Sequence, residues 1–353
     1  MTPGLAVTET VTPPQVLSGS DRRRWLWVAI ATAVFVAAAL VGVLTGGIKL
    51  WGNWGFTEYP MLSRTDIPAA VAAARDGTVW FTIEFSNAIG LLRNGEITRI
   101  PKGSQNLEPL GLAVDANGFA WYTDAPKGMI SRVSPDGEIQ SFSLSMPIVR
   151  LGRLAIAPDG AIWFAEPIPV SVTQLKDGVF RRFVVGPPAP TGLDNVAPFG
   201  VAVDHRGVVW ATLQNANKLV RISASGEMTP FAVPTRRSGL ADIAVDPSGA
   251  VWFLEIAANK IGRFAEDRFQ EFPVPTPGAG LTGLAVAPDG AVWFTELRAH
   301  KLGRLRDGIV TEYALPRSDA RPFAVAVDAK NNVWYTDLAG WLGRLAAERA
   351  QGR

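Results

Sequence analysis

The sequence predicts an all-β fold, a seven-bladed β-propeller preceded by one N-terminal transmembrane helix. Two observations carry this prediction. A short unit with a central tryptophan recurs seven times at spacings of 41 to 47 residues, and turn signals divide each copy into short apolar segments. One uncharged run of 21 residues, Trp25 to Thr45, precedes the first copy.

The uncharged run has the length of a helix that crosses a bilayer, which needs roughly 20 apolar residues. Three arginines, Arg22 to Arg24, precede it, and the first charge after it is Lys49. Because basic residues favour the cytoplasmic side, we expect residues 1–24 to form a disordered cytoplasmic tail and the later chain to be extracytoplasmic. The alternative is a cleaved secretory signal, with small residues at Ala37 to Ala39. The length of the run favours an uncleaved, single-pass anchor in the cell membrane.

The repeated unit is centred on a tryptophan with apolar neighbours, as in DGTVWFT and DGAVWFT. Its period is in the range of propeller blades and is too short for free-standing domains. Seven copies therefore predict seven blades. Their tryptophans are Trp80, Trp121, Trp163, Trp210, Trp252, Trp293 and Trp334.

Each copy is expected to contain four short strands, A to D, which residues 281–316 display as GLAVA, AVWFTE, LGRL and VTEYALP. The last copy ends after its strand C, near Leu345, and the missing strand D is found at the other end of the chain as FTEYP, Phe56–Pro60. An N-terminal strand there would close the ring and remove an exposed sheet edge. The propeller is thus predicted over residues 56–345, after a linker at 46–55 and before a C-terminal tail at 346–353.

Charge and cysteine content exclude several classes of site and partner. The formal net charge is +2 with the two signs nearly balanced, so no broad basic field indicates a nucleic-acid partner. The chain has no cysteine, which excludes disulfides, thiolate metal sites and cysteine nucleophiles.

Three motifs of the repeat together resemble the streptogramin B lyases, also called virginiamycin B lyases. They are WFTE at Trp293–Glu296, NKIGR at Asn259–Arg263 and TEYP at Thr57–Pro60. The resemblance covers residues 56–345. It implies a seven-bladed propeller that opens cyclic depsipeptides with magnesium, by elimination across the ester rather than by hydrolysis.

The resemblance also implies histidines at the start of strand A in the last two blades, with a glutamate just before the second one. The final blade has Arg321 in place of that glutamate and Phe323 in place of that histidine, and Leu338 replaces a second glutamate after the last strand B. No strand A start position in this sequence can titrate. These seven positions hold Ala69, Leu110, Gly152, Phe199, Ala241, Thr282 and Phe323.

Two residues remain as catalytic candidates on the face where the strands A begin. His300 lies in a loop between strands B and C, where sibling blades have Asn217 and Asn259, so we favour turn chemistry over catalysis. Glu108 lies just before strand A of the second blade. The other histidine, His205, is placed in a turn on the opposite face and is interpreted as a solvated turn residue.

The same face gathers charged and apolar side chains that would suit an amphipathic ligand, although a plain solvated rim is an equal alternative. These candidate ligand-binding residues are Glu108, Leu110, Arg150, Phe199, Thr282, Arg321 and Phe323.

The position three residues after each tryptophan is a carboxylate in five blades: Asp124, Glu166, Glu255, Glu296 and Asp337. Gathered on a ring, they would repel one another and attract a cation such as magnesium or calcium. We favour the alternative that each one caps its own B–C loop or pairs with an arginine of strand C. Those arginines are Arg132, Arg221, Arg263, Arg304 and Arg344.

The sequence therefore predicts a membrane-anchored, extracytoplasmic propeller that binds a small molecule, peptide, glycan or protein at the face of the strand A starts. The alternative is a magnesium-dependent carbon–oxygen lyase, or a lactone-opening enzyme acting on cyclic depsipeptides, with rearranged catalytic residues.

Overall fold

Seven four-stranded antiparallel sheets make up the propeller, as the repeat predicts. The computed structural model describes residues 55–103, 105, 109–144, 151–186 and 197–350. Within these ranges no helix has the length and apolar character needed to cross a membrane. The predicted transmembrane segment, residues 25–45, and the predicted tail before it lie outside the described residues.

The blades follow one another along the chain, and each runs from an inner strand A to an outer strand D. Blade 1 is β2 (Ile67–Ala73), β3 (Val79–Glu84), β4 (Ala88–Arg93) and β5 (Glu96–Pro101). Blade 2 is β6 (Leu112–Val114), β7 (Ala120–Asp124), β8 (Met129–Val133) and β9 (Ile139–Ser143), with a 3-10 turn at Ala125–Lys127. Blade 3 is β10 (Leu154–Ile156), β11 (Ile162–Glu166), β12 (Ser171–Lys176) and β13 (Val179–Val184). Blade 4 is β14 (Pro198–Val203), β15 (Val209–Leu213), β16 (Lys218–Ile222) and β17 (Met228–Ala232).

The last three blades have strands of five or six residues. Blade 5 is β18 (Leu240–Val245), β19 (Val251–Glu255), β20 (Lys260–Ala265) and β21 (Arg268–Pro273). Blade 6 is β22 (Leu281–Val286), β23 (Val292–Glu296), β24 (Lys301–Arg306) and β25 (Ile309–Ala314). Blade 7 is β26 (Pro322–Val327), β27 (Val333–Asp337) and β28 (Trp341–Leu345), completed by β1 (Phe56–Pro60). A single helical turn, α1 (Ala347–Ala350), follows β28.

Burial falls from the inside of each blade to the outside. In blade 6, β23 is buried at every position, whereas β25 alternates between exposed and half-buried residues. A strand buried on both faces needs a continuous apolar run, and an outer strand with one wet face needs alternation. Trp293 packs against Val325 and Val333 of the next blade, so the repeated tryptophan fills the space between neighbouring sheets.

The strand C arginines lie over the tryptophans of their own blades and do not pair with the strand B carboxylates. In blade 6 the guanidinium carbon of Arg304 is 5.9 Å from the ring centroid of Trp293. The two residues are direct cross-strand partners, whereas Glu296 is three residues beyond Trp293 and so points to the opposite sheet face. The expectation of carboxylate–arginine pairs in strand C is therefore wrong. The other stacked pairs are Arg132–Trp121, Arg221–Trp210, Arg263–Trp252 and Arg344–Trp334.

Threonine hydroxyls join successive blades around the ring. Each of these threonines lies two residues after the tryptophan, and its hydroxyl donates to a backbone carbonyl in or just before strand A of the next blade. Thr336 donates to the Ala69 carbonyl at 2.6 Å and thereby connects blade 7 to blade 1. The others described are Thr82 to Pro109, Thr212 to Ala241 and Thr295 to Phe323.

The N-terminal strand closes the ring, which confirms the prediction from FTEYP. β1 pairs with β28 along its whole length, from Phe56 opposite Leu345 to Pro60 opposite Trp341. Glu58 on β1 accepts a hydrogen bond from the Tyr335 hydroxyl at 3.0 Å and pairs with Arg317 at 3.3 Å. The closing strand is therefore held by side chains as well as by the sheet ladder.

The antiparallel order defines two faces. The starts of the strands A, the B–C loops and the connections between blades lie on one face, called here the upper face. The A–B and C–D turns lie on the other, the lower face. β1 runs from the lower to the upper face, so Gly55, whose carbonyl accepts from the Ala346 amide, lies at the lower face.

Candidate functional site

The starts of the strands A surround the upper end of the central channel. Leu110, Phe199, Thr282 and Phe323 are half-buried there, and Arg321 is exposed. The Thr282 hydroxyl is 2.8 Å from the Thr295 hydroxyl, inside the blade. The channel mouth is thus apolar at these positions, with a positive charge at its rim. The candidate residues Glu108 and Arg150 lie outside the described residues.

His300 occupies the turn position that the repeat predicted. Its φ is 57°, in the left-handed region, and Asn217 and Asn259 have φ values of 55° and 56° at the equivalent places. Its Nδ1 is hydrogen-bonded to the Ala320 carbonyl. Asparagine suits such a turn because it tolerates positive φ. His300 is therefore engaged in the same local turn as its siblings, and His205 lies in the A–B turn of blade 4 on the lower face.

Three of the five strand B carboxylates are held by a cation close to their own blade. Asp124 pairs with the Lys102 ammonium at 3.1 Å. Glu166 accepts from Arg182 Nε at 2.7 Å and Nη2 at 3.0 Å. Asp337 pairs with Arg317 and accepts from the Arg321 amide at 2.8 Å. Each of these three carboxylates is therefore paired within or next to its own blade.

Glu255 and Glu296 differ because they are fully buried and their carboxylate oxygens have no hydrogen-bond partner among the described residues. Burial raises the pKa of Glu255 to about 7, and the neighbouring Glu271 carboxylate adds to the effect. Burial likewise raises the pKa of Glu296 to about 7, with Glu312 as the neighbouring carboxylate. Both side chains are therefore largely protonated below neutral pH.

The lysines beside these two glutamates are tied elsewhere. Lys260 donates to Glu271 at 2.7 Å and to the Thr235 hydroxyl at 2.9 Å. Lys301 makes the equivalent contacts to Glu312 and Thr276 in blade 6. In both blades the lysine and the threonine thus bond to the strand D glutamate. The strand B glutamate is left unpaired.

The described residues contain no group of three or more His, Asp or Glu placed to hold a metal ion. The five strand B carboxylates are accordingly distributed among their own blades and are not gathered in a ring. At the described strand A starts, Thr282 offers one hydroxyl, and no carboxylate or imidazole is present. This set does not fit magnesium, which prefers carboxylate oxygens.

An ion pair at the channel wall was not found from the sequence. Arg153 of blade 3 and Asp242 of blade 5 are 3.2 Å apart, and their side chains keep only 13% and 11% of their exposure. Burial raises the pKa of Asp242, opposed by Arg153. The sequence did contain a signal for this pair. The residue directly after the strand A start is Gly or Ala in five blades and is charged only in blades 3 and 5.

Comparisons with a family model and with a curated protein identify the same family. The sequence model of the Virginiamycin B lyase family matches residues 45–185 and 173–351. A virginiamycin B lyase from Nocardia farcinica is 32% identical over 201 residues, which are 57% of this chain and 67% of that protein.

Solved structures agree with this result. A catalytically inactive variant of the virginiamycin B lyase from Staphylococcus aureus, crystallised with quinupristin, is 27% identical at a TM-score of 0.75, covering 82% of this chain and 98% of that one. A streptogramin B lyase structure is 25% identical at the same TM-score and covers 82% of this chain and 96% of the other. The repeat, the ring of seven blades and the matched residues together place this chain in the Virginiamycin B lyase family.

Proposed function

We propose that this chain is a membrane-anchored propeller that binds a ligand at its upper channel mouth and has lost the lyase chemistry of its family. The observation that carries the proposal is that the described strand A starts have no ionisable side chain, with Phe199, Thr282 and Phe323 on three blades. Half-buried aromatic residues at the end of a propeller channel suit binding. An elimination needs ionisable groups that these positions do not supply.

The chemistry of an ester elimination sets a geometric demand. A base must come within about 3 Å of the proton that it removes, and the ester carbonyl needs an acid or a metal. His300, the one histidine on the upper face, is bonded through Nδ1 to a backbone carbonyl of the next connection. Glu166 and Asp337 are neutralised by arginines. These contacts support binding without turnover.

The lyase activity of the relatives remains the second candidate, and one experiment separates the two. The full-length protein in detergent is incubated with a streptogramin B and magnesium, and chromatography resolves the ring from its linear product, which has the same mass. The Staphylococcus aureus virginiamycin B lyase is the positive control. We expect no linear product above background. Magnesium-dependent turnover that His300→Ala abolishes would establish the lyase and refute the proposal.

Membrane anchoring is a separate part of the proposal, supported by the run from Trp25 to Thr45 and its three preceding arginines. The native protein should remain in the membrane pellet after an alkaline wash. A variant that begins after Gly55 should be released into the supernatant. Recovery of a native N-terminus shortly after Ala39 would show instead that the segment is a cleaved signal.

A further inference from the structure

One position of the repeat has two exceptions that the family resemblance does not explain. The residue directly after each strand A start abuts the next blade: a Cβ atom added to Gly200 would lie 2.8 Å from the Ala241 carbonyl oxygen, and one added to Gly283 would lie 2.8 Å from that of Phe323. Space is therefore tight at this position, and five blades have glycine or alanine there. Blades 3 and 5 instead have Arg153 and Asp242.

The same two blades lack the threonine that joins each blade to the next. Ala165 and Leu254 stand at the threonine position in blades 3 and 5. Asp242 compensates for the loss in blade 5, because its two carboxylate oxygens accept from the amides of Ile243 at 3.2 Å and Leu284 at 3.1 Å. Leu284 belongs to blade 6, so Asp242 serves as an inter-blade connection and its charge has a structural explanation.

Arg153 is the counter-ion of Asp242, but this role does not account for all of its donors. It starts in blade 3 and reaches Asp242 in blade 5, so its side chain passes blade 4 along the inner strands that line the channel. Its Nη2 is 3.2 Å from Asp242 but is not aligned as a hydrogen bond, and neither Nε nor Nη2 has a hydrogen-bond partner among the described residues. Buried donors without acceptors are costly, so a native structure that keeps them needs a reason.

The surroundings indicate which acceptor would fit. The Arg153 amide donates to the Phe199 carbonyl at 3.3 Å, which places the arginine next to an aromatic residue of the channel mouth. Asp242 offsets the charge of Arg153, and the other strand A starts add no charge. The pair as a whole is therefore neutral, and the guanidinium has more donors than the Asp242 carboxylate can accept, because the amides of Ile243 and Leu284 already use part of it.

We propose that Arg153 is a ligand-binding residue, which donates to an oxygen acceptor of an amide or a carboxylate while Phe199 contacts an apolar group of the same ligand. This proposal rests on the proposed binding function of the channel mouth and names the ligand class. Nε and Nη2 of Arg153 are themselves buried, so a ligand acceptor would have to reach the guanidinium through the 13% of the side chain that remains exposed. A cationic ligand would compete with Arg153 for Asp242 and would be disfavoured by the arginine.

The test uses three small probes that share one apolar group: phenylbutanamide, phenylbutyrate and phenylbutylamine. Binding to the full-length protein in detergent is measured by ligand-observed NMR and by tryptophan fluorescence. We expect the amide and the carboxylate to bind and the amine to bind at least about tenfold more weakly, which corresponds to about 1.4 kcal/mol. A preference between the amide and the carboxylate would identify which acceptor the site takes.

Variants then assign the effect to the arginine. Arg153→Met should weaken both acceptor probes by about tenfold or more, and the double variant Arg153→Met with Asp242→Asn should do the same without leaving a buried charge unpaired. Arg206→Met makes the same change on the lower face and should leave binding unaltered. Phe199→Ala should weaken all three probes.

The outcomes distinguish the assignment of Arg153 from the proposed binding function of the channel mouth. If the wild-type protein binds all three probes equally and both Arg153 variants keep that affinity, the assignment of Arg153 is wrong and a binding site at the mouth still stands. A preference for the amine also overturns the assignment, because Asp242 would then be the recognition group. If the wild-type protein binds none of the probes, the assignment and the binding function both fail.

Discussion

Replacement of the two unpaired buried glutamates by glutamine should make the propeller more stable at alkaline pH. Glu255 and Glu296 are fully buried, and their carboxylates have no hydrogen-bond partner among the described residues. The pKa of each is raised from 4.5 to about 7 by burial and by a second glutamate nearby. Glutamine matches the size and neutrality of the protonated side chain, so it removes the titration and little else.

The direction of this pH dependence follows from proton binding in the folded and unfolded states. The folded protein keeps a proton on these residues between pH 4.5 and about 7, where the unfolded chain has already lost it. Stability therefore falls as the pH rises through this window and stays low above it. One pKa unit corresponds to about 1.4 kcal/mol, so each glutamate costs at most about 3.5 kcal/mol above pH 7.

Urea unfolding of the full-length protein in detergent, followed by tryptophan fluorescence, measures the effect at about pH 5 and about pH 8.5. Glu255→Gln and Glu296→Gln should raise the urea midpoint at the higher pH and change it little at the lower one. Glu271→Gln is the matched control. Hydrogen bonds from Lys260 and Thr235 outweigh burial and lower the pKa of Glu271, so its loss should destabilise the protein at both values. A lower midpoint for Glu255→Gln at pH 8.5 would refute the reasoning.

Three further predictions concern the ring and its turns. Removal of residues 56–60 would expose the edge of β28, so we expect aggregation on size-exclusion chromatography, and a monodisperse monomer would contradict the role of β1. In Gly303→Ala the new Cβ would overlap the Phe294 ring, which should lower the free energy of unfolding by about 1–3 kcal/mol; an unchanged urea midpoint would mean that the ring moves freely. His300→Asn should keep the wild-type stability, whereas His300→Ala should lose about 1 kcal/mol, because alanine tolerates the left-handed conformation poorly; equal losses in thermal unfolding would argue against a turn role.

The architecture could be predicted from the sequence because the pattern of one blade is repeated seven times. Each tryptophan, each turn and the displaced FTEYP segment could be compared with sibling copies, and the pairing of β1 with β28 confirmed the closure. His300 was predicted as a turn residue by the same comparison, since Asn217 and Asn259 stand at the equivalent position.

The side-chain partners were harder to predict because they depend on registers between strands and on contacts between blades. The strand C arginines were assigned to carboxylates by charge alone, but the cross-strand register places Arg304 beside Trp293. Arg182, which neutralises Glu166, lies on strand D at a position where blade 6 has Glu312, so no repeat pattern indicates it. The Arg153–Asp242 pair joins blades that are not adjacent, and periodicity carries no information about such a contact.

The closing strand also sets the order in which the molecule can be completed. Among the described strands β1 is synthesised first and β28 last, so β1 waits for its partner while about 280 residues are added, on the order of 15–60 s at typical synthesis rates. During that interval six blades can form by local pairing, but the seventh cannot. Until the ring closes, β1 of one chain is free to pair with β28 of a neighbouring chain, and the two products would contain the same hydrogen bonds. Local concentration during synthesis would then decide between a closed monomer and a strand-swapped pair.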